Sequence, residues 1–187
     1  MFNFKIYFMS EQSPLSLGTE DIKKLLMRYA VPAIVAMTAA SLYNMMDSIF
    51  IGHGVGALGI AGLAVTFPFI NLAAAFGSLV GVGASTLVSV KMGQKDLKSA
   101  EAVLGNVLLL NTVIGFLFMT VCLIFLDPIL YFFGASADTL PYARDYMKVI
   151  LYGNLITHIY MGLNEVMRAS GYPQRAMMAT LFAVLIN

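Results

Sequence analysis

Long apolar stretches, separated by short polar segments, dominate the pattern of this chain. A helix needs roughly 20 apolar residues to cross a hydrocarbon core about 30 Å thick. Four stretches reach this length, over residues 25–51, 60–90, 103–126 and 142–166. A fifth, over 174–187, stops with the sequence before a helix rising about 1.5 Å per residue would have crossed. The pattern predicts an all-α polytopic membrane protein with four full transmembrane helices plus a truncated fifth.

The basic residues predict how these helices are oriented, because cytoplasmic loops carry an excess of Lys and Arg. Nine basic residues fall on one side of the predicted bilayer and two on the other. The nine are Lys5, Lys23, Lys24, Arg28, Lys91, Lys95, Lys98, Arg168 and Arg175, and the two are Arg144 and Lys148. We therefore expect a multi-pass protein of the cytoplasmic (inner) membrane, with residues 1–22 as a cytoplasmic N-terminal tail. Its translation is expected to start at Met1 or at Met9.

The composition agrees with a membrane protein and narrows the function classes. The chain is 59% hydrophobic and 11% charged, whereas soluble domains carry about 25% charged residues. A net charge of +1 without a basic cluster argues against a nucleic-acid partner. The pattern G-x-G-x-x-G at 54–59 follows a predicted membrane helix rather than a strand, so it does not predict dinucleotide binding. We expect no enzyme, no cofactor and no metal site built from His and Cys.

Asp47 is the most informative residue for function. Placing a charged carboxylate within a membrane span costs several kcal/mol of free energy, by estimates from about 3 upward, so such a residue usually has a role. Such a group can hold a proton, a sodium ion or a cationic substrate. Tyr43, Asn44 and Asp47 share one helix face with Ala36 and Ala40, because they lie three or four residues apart. One interpretation is a cavity wall in which Asp47 titrates or coordinates. The alternative is that Asp47 lies near the outer interface, reaches water and merely ends the helix.

Polar residues also occur in the other predicted helices. Asn71 lies in the second helix, and Asn154 and His158 are one turn apart in the fourth, so all three are candidates to line a cavity. The simpler role of such groups is interhelical hydrogen bonding within a packed bundle. Gly77 and Gly81 form a small-xxx-small pair, which predicts close helix packing.

Several stretches of the sequence, in this order, resemble the first half of the multidrug and toxic compound extrusion (MATE) family of cation-coupled antiporters. The matching stretches are Tyr-Ala-Val-Pro-Ala-Ile at 29–34, Tyr-Asn-Met-Met-Asp-Ser-Ile-Phe-Ile-Gly at 43–52, Lys-Met-Gly-Gln-Lys-Asp at 91–96 and Asn-Glu-Val-Met-Arg-Ala-Ser-Gly-Tyr-Pro-Gln-Arg-Ala at 164–176. Together they extend over nearly all of the chain from about residue 23. The resemblance implies that residues 23–187 form an incomplete N-terminal lobe, most of one six-helix lobe of a twelve-helix antiporter.

The resemblance also implies a function and two site residues. Members of the family export amphipathic organic cations in exchange for H⁺ or Na⁺. Asp47 matches the acid of the first helix that is implicated in cation coupling, and Asn187 resembles the asparagine of an Asn-x-x-x-Asp pattern in the fifth helix. The expected partners are the lipid bilayer, small organic cations, and either the missing C-terminal helices or a complementary chain.

Two other functions remain open from the sequence. A flippase of the same superfamily, which moves lipid-linked sugars, would favour arginines at mid-span to hold phosphate, and this chain has none there. The other interpretation is that the chain is a non-transporting membrane subunit or an inactive truncated remnant.

Overall fold

The structure is a computed structural model that describes residues 20–186, and within that range it is entirely helical. Its six helices are α1 (Ile22–Gly54), α2 (Ala57–Gly93), α3 (Leu97–Ile124), α4 (Leu126–Phe132), α5 (Leu140–Ala169) and α6 (Pro173–Ile186). Connections of two or three residues join α1 to α2, α2 to α3 and α5 to α6, so these neighbours run antiparallel. The predicted all-α fold is confirmed.

Three helices in the described range, α1, α2 and α3, are long and apolar enough to span a membrane. The fourth predicted span corresponds to α5, which has 30 residues and therefore a length of about 45 Å. It is less apolar than the other three because Arg144, Asp145, Lys148 and Glu165 lie in it. The predicted fifth helix is the short apolar helix α6.

Side-chain caps and one glycine turn mark where α1, α3 and α6 begin. The Asp21 carboxylate accepts a hydrogen bond from the Lys23 amide at 2.9 Å and caps α1. Asp96 caps α3 by accepting from the Ser99 amide at 3.2 Å. As a result α3 begins six residues before the predicted start at 103. Gly171 has a φ of 91° and reverses the chain before Pro173 begins α6, as the conformational freedom of glycine allows.

The core is built around α5, which packs on α2, α3, α4 and α6, while α1 lies mainly against α6 and α2. Two apolar clusters lie along this bundle. The larger cluster comprises Phe69, Cys122, Leu126, Leu130, Ala135, Leu140, Ala143, Met147 and Leu151. The smaller cluster, toward the other end, comprises Ala84, Val88, Val107 and Val166.

A layer of glycines and polar side chains, which we term the polar layer, separates the two clusters. It consists of Gly77 on α2, Asn111 and Gly115 on α3, and Asn154, His158 and Gly162 on α5. Asn111, Asn154 and His158 are each at most 4% exposed. The His158 ring lies against Gly77 and Gly115, which leave room for it because they have no side chain. The predicted close packing at Gly77 is confirmed.

Candidate functional site

The stripe of small and polar residues on α1 turns partly toward the rest of the protein. Pro32 and Ala36 are buried, Ala40, Tyr43 and Asp47 are half-buried, and Asn44 is exposed at the edge of the stripe. Most other large apolar side chains of α1 are at least 40% exposed, and Met37 and Phe50 are nearly 70% exposed. Asp47 therefore lies on the face of α1 that the protein covers, at some depth in an otherwise apolar helix.

Two tyrosines surround the Asp47 carboxylate. Tyr146 on α5 donates a hydrogen bond from its hydroxyl to Oδ2 of Asp47 at 3.4 Å. Tyr43, one turn before Asp47 on α1, also interacts with the carboxylate through its hydroxyl. Phenol hydroxyls are hydrogen-bond donors that stabilise the ionised carboxylate. Asp47, Tyr43 and Tyr146, which we term the Asp47 site, thus bring together residues from α1 and α5.

The negative charge at this site has no basic partner in the described part of the chain. The salt bridges among residues 20–186 join Arg28 to Glu20, Lys91 to Asp96 and Arg144 to Asp127. All three involve residues at the helix ends, and none involves Asp47. A half-buried carboxylate without a cationic side chain is suited to a mobile cation, whether a proton, a metal ion or an organic cation.

A cleft of about 390 Å³ opens beside the site, between the end of α1 and the starts of α2 and α5. Its walls are Ile51, Val55, Gly59, Leu63, Tyr142, Asp145 and Tyr146. Tyr146 therefore connects the two features, since it lines the cleft and also contacts Asp47. An apolar cleft with aromatic rings and a carboxylate offers dispersion, cation–π and charge interactions together.

Not all of the predicted cavity residues join the Asp47 site. The backbone carbonyl of Asn44 accepts a hydrogen bond from the Ser48 hydroxyl at 3.0 Å, while the residue is exposed on α1. Asn71 is also exposed, and its amide donates to the carbonyl of Phe67 on its own helix at 2.9 Å. Asn187 lies outside the described residues.

Asn154 and His158 lie in the polar layer, inside the helix bundle rather than on the wall of the cleft. Nδ1 of His158 is 3.0 Å from the Asn154 carbonyl oxygen, one turn earlier. Nε2 of His158, Nδ2 of Asn154 and both polar atoms of the Asn111 side chain have no hydrogen-bond partner in the described part of the chain. The layer is polar at a depth where the surrounding positions are apolar.

Tyr146 is the residue that the sequence analysis missed. It lies 99 positions after Asp47, so no local spacing connects the two. The sequence of α5 contains a weak indication. Tyr142 and Tyr146 are one turn apart, and each directly precedes a buried residue, Ala143 and Met147 respectively. Two tyrosines at that spacing indicate an aromatic stripe beside a buried face, but they do not indicate which helix that stripe contacts.

Comparison with known proteins gives the family. The model of the MatE family matches residues 32–187. The chain is similar to the multidrug export protein MepA of Staphylococcus haemolyticus, with 27% identity over 179 residues, and equally to MepA of Staphylococcus aureus strain MRSA252. In each case the matched region is 96% of this chain and 40% of the relative. The chain thus spans about 40% of the length of the curated relatives it matches.

Solved structures agree with the sequence match. The fold is similar to that of an outward-facing multidrug resistance MATE transporter of the MOP superfamily, with a TM-score of 0.81 and 27% identity over 88% of this chain and 36% of the transporter. A crystal structure of MATE in the bent conformation gives a TM-score of 0.82 at 27% identity, over 91% of this chain and 38% of that protein. Because the family model matches residues 32–187, which make up most of this chain, the chain belongs to the MatE family.

Proposed function

We propose that this chain forms the N-terminal part of a cation-coupled antiporter that exports amphipathic organic cations. The observation that carries the proposal is the half-buried Asp47 carboxylate, which accepts from Tyr146 and has no basic partner among the described residues. Family membership adds that relatives of similar sequence are multidrug export proteins. Because this chain matches only 40% of the length of those relatives, the proposed export activity is that of the whole protein to which the chain contributes.

In the proposed mechanism, H⁺ or Na⁺ and the organic cation compete for the same negative charge. A coupling ion at Asp47 neutralises the carboxylate, so the electrostatic attraction for an organic cation is lost. The tyrosine hydroxyls donate to the ionised carboxylate when the ion leaves, which stabilises the charged state that attracts the substrate. Antiport follows if the two cations are bound from opposite sides of the membrane.

The cleft beside the site suits the apolar part of such a substrate. Ile51, Val55 and Leu63 offer an apolar wall, and the Tyr142 and Tyr146 rings offer faces for a cationic group. The Asp145 carboxylate adds a second negative charge at the wall. The volume of about 390 Å³ lies within the usual range of small-molecule pockets, roughly 300–1,000 Å³.

The proposal also covers location and partners. We place the protein in the inner membrane with the N-terminus in the cytoplasm, as the basic residues indicate. Helices beyond residue 187 or a complementary chain would complete the lobe. A lipid-linked sugar flippase is less well supported, because Asp47 gives the site a negative charge that disfavours a phosphate, and the described arginines lie at helix ends.

The test is export of ethidium from cells that lack their own multidrug pumps and express the complete reading frame containing this sequence. Asp47→Asn removes the charge at nearly constant volume, and we expect ethidium accumulation to return to the level of cells without the transporter. Asp138→Asn is the matched control, because Asp138 is exposed outside the helices, and it should export normally. Export that is unchanged in Asp47→Asn at equal expression would contradict the role of Asp47.

A further inference from the structure

A second cleft lies near the opposite end of α1 from the Asp47 site, where α1, α5 and α6 meet. It has a volume of about 200 Å³, and its walls are Tyr29, Pro32, Ala33, Arg168, Pro173 and Met177. Five of these residues contribute mainly apolar surface, and the sixth contributes a guanidinium group. We term it the Arg168 cleft.

The charge of Arg168 is not balanced within the described part of the chain. Arg168 is half-buried and takes part in none of the salt bridges among residues 20–186. Other arginines there do have partners, since Arg28 pairs with Glu20 at 3.0 Å and Arg175 stacks over the Tyr172 ring at 4.7 Å. A partly desolvated guanidinium beside apolar walls is costly unless an anion accepts its hydrogen bonds.

The position along the bilayer normal indicates the class of anion. The Arg168 cleft lies at the end of the bundle that carries Lys23, Lys24, Lys91, Lys95 and Lys98, which the distribution of basic residues assigns to the cytoplasmic side. The cytoplasmic leaflet is rich in anionic lipids, and basic pockets between helices on that side bind their headgroups. A guanidinium also matches a phosphate in a bidentate geometry, which an ammonium does not.

We propose that the Arg168 cleft binds the phosphate of an anionic phospholipid of the inner leaflet. Arg168 donates to the phosphate oxygens, while Tyr29, Pro32 and Met177 contact the glycerol and the first methylenes of the acyl chains. The chains themselves remain in the bilayer, because the cleft is too small to enclose them. This lipid holds α1 against α5 and α6 at their cytoplasmic ends and is separate from the cation at Asp47.

The test measures lipid binding to the complete protein in detergent by native mass spectrometry. Phosphatidylglycerol is the probe, and phosphatidylcholine is the zwitterionic comparison. We expect Arg168→Gln to weaken phosphatidylglycerol binding by about tenfold or more, as the loss of charged hydrogen bonds implies. Lys98→Gln is the matched control, since Lys98 is an exposed cation at the same end of the protein. It should change the affinity by less than about twofold.

Three outcomes would overturn the proposal. These are equal phosphatidylglycerol affinity in Arg168→Gln and the unmodified chain, no preference over phosphatidylcholine, and displacement of the lipid by inorganic phosphate alone. If Arg168→Gln does not fold, Arg168→Lys decides, because it keeps the charge, loses the bidentate geometry and should bind several-fold more weakly. Binding is measured without transport, so failure here is distinguishable from failure of the proposed function at Asp47.

Discussion

At the scale of single residues, the account depends on how Asp47 is held. The stripe on α1 could be predicted, because Ala36, Ala40, Tyr43 and Asp47 follow the helical repeat and all lie on the covered face. Asn44 belongs to the same predicted face but is exposed. Successive residues of a helix point about 100° apart, so Asn44 lies at the edge of the stripe, beside Tyr43. Tyr146 could not be predicted, because its contact with Asp47 depends on how α5 packs beside α1.

The Tyr146 hydroxyl should contribute to exchange separately from the Tyr146 ring. We expect Tyr146→Phe to slow organic-cation export by roughly three- to tenfold, because it removes one donor to a charged acceptor while keeping the ring. The hydrogen bond is long at 3.4 Å, so the effect should be smaller than that of Asp47→Asn. Initial rates of export, with Tyr152→Phe as a control on the exposed side of α5, check this. Equal rates for the two variants would exclude a role for the Tyr146 hydroxyl.

Asp96 predicts a pH dependence of stability in the connection between α2 and α3. Hydrogen bonds from the Ser99 side chain and backbone lower the pKa of Asp96 below its ordinary value of 3.8, and Lys91 adds to the effect. The ionised form is therefore favoured in the folded state, so its contribution is present above pH 3.8 and is lost as the pH falls through the lowered pKa. Thermal unfolding of Asp96→Ala should show a deficit at pH 6 that narrows below about pH 4. A deficit that stays constant across this range would contradict the assignment.

At the scale of helices, α2 and α5 cross in close contact at Gly81 and Gly162. A methyl group placed on Gly81 would lie 2.7 Å from the Cα atom of Gly162. Backbone atoms cannot move aside as a flexible side chain can, so Gly81→Ala must push the two helices apart. We expect a loss of about 1–3 kcal/mol in the free energy of unfolding. Gly83→Ala, which would meet open space, should be neutral or slightly stabilising, and similar losses for both variants would argue against this crossing.

Gly162 offers a test of the polar layer itself. A methyl group there would overlap the side-chain amide of Asn111 on α3, so Gly162→Ala should be strongly destabilising. Asn111→Ala added to Gly162→Ala removes the overlapping amide and should restore part of the lost stability, a coupling that a double-mutant cycle measures. Additive losses in thermal unfolding would show that Asn111 and Gly162 do not limit each other.

The number and order of the helices follow from the apolar stretches, but their ends do not. The predicted second helix, 60–90, lies inside α2 at Ala57–Gly93, because the helix extends three residues further at each end. The predicted third helix ran to 126, whereas the structure ends α3 at Ile124 and begins the short α4 at Leu126. An apolar stretch predicts which residues can lie in the hydrocarbon core. The helix itself ends where caps and turns satisfy its terminal backbone groups, which is often outside that stretch.

At the scale of the whole molecule, the fold matches one part of larger transporters. The chain covers about 40% of the length of MepA and superposes on MATE transporters with TM-scores of 0.80 to 0.82. Family membership could be predicted from the sequence because four separate stretches match in order. Two of them, 91–96 and 164–176, lie at helix ends and turns, where few residue types fit. The pairing of α1 with α6 could not, since nothing in the apolar pattern of either helix selects its neighbour.

The central claim is that the charge of Asp47 couples an ion gradient to export, and transport by the reconstituted protein tests it most directly. The complete protein is placed in liposomes, and a proton or a sodium gradient is imposed. An electrode follows the movement of tetraphenylphosphonium in the direction opposite to the flow of the coupling ion. We predict export driven by one of the two gradients in the unmodified protein and none in Asp47→Asn. Gradient-driven export that persists in Asp47→Asn would contradict the account.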